Sequence, residues 1–103
     1  MVSIVFTEEG NKRIITINGH ANYAEKGKDI VCSGISVLYQ TYKYFIEDLM
    51  DKGKAEDIFL LEEDGFCEFE SRNTSIESMT AYEMTKQGLE AISETFPDNV
   101  KIF

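Results

Sequence analysis

The stretch that decides the fold runs from Asp29 to Gly53, DIVCSGISVLYQTYKYFIEDLMDKG. Apolar residues recur at Val31, Ile35, Leu38, Tyr42, Phe45 and Leu49, in steps of three and four that keep one stripe facing a core. Asp29 is placed to cap the first turn, because its carboxylate can accept the amide hydrogen bonds that a helix start leaves unpaired. Gly53 marks the expected end. Tyr39, Ile46 and Met50 lie off the main stripe, so the spacing predicts a long helix buried on more than one side, by a sheet and by a second subunit.

On either side of this helix the period changes from 3.6 to 2. Upstream, Val2–Phe6 and Arg13–Asn18 read as strands joined by a hairpin loop over Glu8–Lys12. Between them and the helix, Gly19–Lys28 is polar with two glycines and reads as a mobile loop. Downstream, Ile58–Glu62 and Phe66–Ser71 form a second hairpin around Glu63-Asp64-Gly65. Ser75 can cap a second helix with a stripe at Ile76, Met79, Tyr82, Leu89, Ile92 and Phe96. Pro97 ends it, and Asn99–Phe103 can supply a short last strand. The order β-β-α-β-β-α-β predicts an α+β domain, residues 1–103, with a largely antiparallel sheet of four to five strands packed against two long helices.

The whole chain has 103 residues, 43% hydrophobic and 28% charged, which suits one domain with one core. No apolar run approaches the roughly 18 residues that span a bilayer, so no membrane role is expected. No basic residue precedes an apolar block at the N-terminus, as a signal peptide would require. Two separated cysteines make no disulfide scaffold, and a reduced cytoplasm is the expected compartment. Ten basic against nineteen acidic residues give a net charge of −9. That balance argues against direct nucleic-acid binding and permits attraction to a basic partner.

Cys32 falls in the first turn of the long helix. Unpaired amides and the helix dipole favour an anion there, which tends to activate a thiol as a nucleophile. The only histidine, His20, lies twelve positions earlier, and the intervening loop is long enough to bring its imidazole beside the sulfur. The first-turn amides of Cys32 and Ser33 could donate to an oxyanion. Gly34 could keep space for substrate near the sulfur. Each residue has a plainer reading: Cys32 as a small buried helix residue, His20 as a surface side chain. Asp29 either caps the helix or orients His20, with capping favoured. Ser36, one turn after Cys32, could support the His20 loop or bond back to a carbonyl. Cys67 reads as a packed thiol in a strand. One histidine and two separated cysteines make no zinc spacing, and no nucleotide-binding or serine-hydrolase motif is present, so no metal or cofactor is expected.

The contiguous block Gly19–Ser36, GHANYAEKGKDIVCSGIS, resembles the signature of the ribosomal-processing cysteine protease family, Prp. The shared elements are Gly-His-Ala, a glycine before the acidic position, Asp-Ile-Val-Cys, a serine four residues on, and the His-to-Cys separation. Over the rest of the chain the agreement extends only to length, acidic character and element order. Ser33-Gly34 stands where the family commonly has Ala-rich residues, and both remain small. The resemblance implies a small, dimeric bacterial cysteine protease that removes an N-terminal extension from the twenty-seventh protein of the large ribosomal subunit. The implied cut follows a hydrophobic, aromatic-containing segment. It also implies Cys32 as nucleophile and His20 as base, with Gly19, Asp29 and Ser36 at the other signature positions. A non-enzymatic module that grips an extended tail, or assists ribosome assembly without cutting, is the competing reading.

Overall fold

A computed structural model describes all 103 residues. The elements are β1 (Val2–Glu9), β2 (Lys12–Asn18), α1 (Ile30–Asp51), β3 (Glu56–Glu63), β4 (Phe66–Arg72), α2 (Ile76–Thr95) and β5 (Val100–Ile102). This is the expected α+β order. The five strands form one sheet in the order β3-β4-β2-β1-β5. All neighbours are antiparallel except β1 and β5, which run parallel because α2 carries the chain across to the far edge.

Alternation along the strands puts both helices on one face. Val2, Ile4, Ile15, Ile17 and Phe69 are buried beneath them. The opposite face is held by polar pairs, including Thr16 with Glu68 at 3.0 Å and Lys12 with Glu70 at 3.1 Å. Both strands of the first hairpin extend further than their apolar patterns, leaving only Gly10-Asn11 as the turn. Their outer ends are polar, so backbone pairing rather than burial sets their length.

Helix α1 begins where expected, but its buried stripe differs. Val31, Ile35, Tyr39, Tyr42, Ile46 and Leu49 face the core, together with Lys43. Phe45 is exposed and Leu38 only partly covered, whereas Tyr39 and Ile46, expected off the stripe, are central to it. Apolar residues occupy more than half of the circumference, so several three-and-four paths exist and the sheet selects one. In α2, Ser75 forms a capping box with Ser78, and Tyr82 and Leu89 are fully buried. Ile76, expected on the stripe, is 82% exposed.

The two outcomes for α1 separate experimentally. Ile46→Ala, at a site with no exposure, is expected to cost about 2–5 kcal/mol in urea unfolding. Phe45→Ala should cost less than about 1 kcal/mol, as an exposed side chain gives up little burial.

Candidate active site

The candidate residues converge at the start of α1. Asp29 is the N-cap, and its carboxylate accepts four backbone N–H groups. Oδ1 takes the amides of Val31 at 3.0 Å and Cys32 at 2.9 Å. Oδ2 takes those of Tyr23 at 3.0 Å and Ala24 at 3.4 Å. One side chain therefore starts the helix and folds the preceding loop onto it. These hydrogen bonds, that of the Cys32 amide foremost, hold the Asp29 carboxyl below the usual carboxylate range. With both oxygens committed to backbone, Asp29 acts as the cap and not as the partner that orients His20.

The first half of the segment Gly19–Lys28 is tied to the rest of the fold. Ala21 is buried; its N–H donates to the Cys32 sulfur at 3.3 Å, and its carbonyl accepts from the Asn99 side chain at 2.9 Å. The Tyr23 ring meets Phe96 edge-on, 5.3 Å between centroids. At its head, Gly19 has φ +100° and donates its N–H to the Gly65 carbonyl at 2.7 Å. A side chain on Gly19 would strike the Met1 carbonyl oxygen, 2.4 Å from the position of its Cβ. Only glycine permits this turn under the first strand.

His20 and Cys32 line two adjoining cavities. One, of about 300 Å³, lies toward the sheet and is lined also by Ile17, Ile35, Ser36, Tyr39, Phe66 and Cys67. The other, of about 460 Å³, lies toward the loop and includes Asn22, Lys26, Gly27, Asp29, Ser33 and Asp64. The two side chains thus sit on a shared ridge between an apolar recess and a polar one. The His20 ring is exposed, and its Nε2 lies 3.9 Å from Asp64 Oδ1. Cys67, packed against the core as expected, also reaches the apolar recess. Burial pushes its thiol up to about 11, so it stays protonated near neutrality.

Several expectations change here. The amides of Cys32 and Ser33 are not free for an oxyanion: the first donates to Asp29 Oδ1, the second to the Asp29 carbonyl at 3.0 Å. Gly34 does not open space near the sulfur; a Cβ there would face Ile92 of α2 at 3.4 Å. Ser36 is exposed and lines the apolar recess beyond Cys32. Asp64, Gly65 and Phe66 also line these cavities, although the sequence marks Asp64-Gly65 only as a turn and Phe66 only as the start of a strand. No helix is long and apolar enough to cross a membrane, and no group of three or more His, Cys, Asp or Glu side chains is gathered to hold a metal ion.

Comparison with known proteins gives one family. The sequence model of the family described as cysteine protease Prp matches residues 1–101. No curated protein matches. Among solved structures, the chain is similar to an essential ribosomal processing protease Prp from S. aureus with a covalently linked product peptide. That match has a TM-score of 0.82 and 21% identity, covering 99% of this chain and 97% of that one. The S. aureus protein with a substrate peptide gives 0.76 and 20%, covering 100% and 98%. SMU.848 from Streptococcus mutans gives 0.69 and 21%, covering 99% and 91%.

The ionised cap has a consequence for stability. A carboxyl whose folded pKa is depressed contributes stability above its unfolded value, and loses that contribution as pH falls through the folded one. Asp29→Asn should lower the thermal midpoint by several degrees near neutrality, and the gap to wild type should close as pH falls below about 4. Thermal unfolding across an acid pH series checks this.

Proposed function

The chain belongs to the Prp family of cysteine proteases, and from that premise we propose that it removes the N-terminal extension of the twenty-seventh protein of the large ribosomal subunit, with Cys32 as nucleophile and His20 as proton carrier. The observation that carries this reading is the ridge itself. Chain folding brings the only imidazole and a helix-start sulfur to the border of two cavities, with the Ala21 amide holding the sulfur in place.

In this reading an extended peptide crosses the ridge. Its hydrophobic, aromatic-containing segment fills the recess walled by Ile17, Ile35 and Phe66, and the residues after the cut enter the polar side. Cys32 Sγ, its proton taken by His20, attacks the scissile carbonyl. The C–N bond then breaks, the departing amine takes the proton from His20, and an acyl thioester remains on Cys32. Water adds to the thioester, giving up its proton to His20, and the freed sulfur recovers a proton as the acid leaves. Support for a peptide ligand comes from the S. aureus relative, whose structures hold a substrate peptide and a covalently linked product peptide. The net charge of −9 suits a basic ribosomal protein, and the work would be done in the cytoplasm where ribosomes are assembled.

The homodimer implied by the family resemblance has a candidate surface. Strand β3 is an edge, and Ile58, Phe59, Leu60 and Leu61 along it are each 36–43% exposed. A second copy pairing on this edge would cover apolar side chains and unpaired backbone groups together. Phe59→Lys is expected to halve the mass seen by light scattering while leaving the fold intact by circular dichroism.

Incubation with the extended ribosomal protein, followed by mass spectrometry of the products, tests the activity. Wild type should release the extension. Cys32→Ala should release none, and His20→Ala should slow release by roughly 10²–10⁴ without loss of thermal stability. A wild-type protein that binds the extended tail without cutting it would establish the non-catalytic module instead.

A further inference from the structure

We infer that the β3–β4 turn, Asp64-Gly65, is the positioning arm for His20, and that Asp64 orients the imidazole from its Nε2 side. The inference rests on the protease reading for its effect on turnover, but not for its geometry. The contacts that the turn makes with Gly19 and His20 carry it.

The backbone on both sides of His20 is fixed. Before it, the Gly19 N–H donates to the Gly65 carbonyl at 2.7 Å; after it, the Ala21 N–H donates to the Cys32 sulfur at 3.3 Å. What remains is rotation of the side chain, and the turn limits that rotation. Gly65, at φ +75°, presents a bare backbone to the ring: a Cβ there would lie 2.9 Å from His20 Nε2. Beside it, the Asp64 carboxylate lies 3.9 Å from the same nitrogen.

The Asp64 side chain is 89% exposed and that of His20 60%, so water screens the pair and it adds little to stability. A contact that is weak for folding can still select a ring orientation. With Nε2 turned to Asp64, Nδ1 is the nitrogen left to exchange a proton with the sulfur and the departing amine. Asp64 would thereby take the role of the third group that orients a catalytic base. The sequence offered Asp29 as the less favoured candidate for that role, and its oxygens are spent on four amides.

The test compares wild type with Asp64→Asn and Asp64→Glu in the full chain. Turnover is measured on a peptide spanning the extension of the ribosomal protein. Alkylation of Cys32 by iodoacetamide is followed by mass spectrometry with Cys67 as internal reference, and the His20 ring nitrogens are observed by NMR. Asp64→Asn should lower kcat about ten-fold, with KM and the thermal midpoint unchanged. It should also slow Cys32 alkylation and alter the His20 tautomer balance, and Asp64→Glu should restore most of each. If Asp64→Asn turns over at the wild-type rate with the same ring spectrum, the inference is overturned. If wild type fails to cut while its ring spectrum still responds to Asp64→Asn, the protease reading fails and the positioning role stands.

Discussion

The site depends on one carboxylate. Asp29 starts α1 by accepting two amides of its first turn, and the same side chain draws in the amides of Tyr23 and Ala24 from the preceding loop. A helix start and the middle of the ten-residue connection before it are thereby joined through a single carboxylate. The nearby Ala21 amide completes the closure by donating to the Cys32 sulfur. Hydrogen bonds to backbone amides thus join with the burial of Ala21 and the Tyr23–Phe96 contact to seat the loop against the fold.

The second constraint is the sheet. Strand β4 lies beside β2, with Asn18 opposite Phe66, so the β3–β4 turn ends next to Gly19 and His20. The apolar recess follows from the same placement, because Cys67 of β4 faces Ile35 and Tyr39 of α1 across it, with Phe66 at its rim. Helix and sheet each contribute one wall, and the two reactive side chains stand at the rim. The acidic side chains of Glu62 and Glu63 also line this opening, which gives the overall negative charge a local expression near the cleft.

Much of the fold was legible in local pattern. The hairpins, both helix caps and the element order follow from alternation, from Asp29 and Ser75, and from Pro97. The buried stripe of α1 departs from the expected one at Phe45, and at Tyr39 and Ile46, because apolar residues surround most of that helix, and periodicity alone cannot choose among several faces. The assignment of free oxyanion amides to Cys32 and Ser33 failed for a related reason. A cap satisfies first-turn amides by definition, so choosing Asp29 as the cap already consumed one of the proposed donors.

By itself the sequence determined what depends on neighbours within a few residues: where chains turn, where helices begin, and that Cys32 sits at a helix start with His20 one loop away. Tertiary structure alone decided which strand lies beside β2, and with it that Asp64 and Gly65, more than forty residues downstream, stand against the imidazole. Strand order is a contest among long-range pairings of similar local quality. Its outcome is set by how the helices cover the sheet, and no short window of residues carries that information.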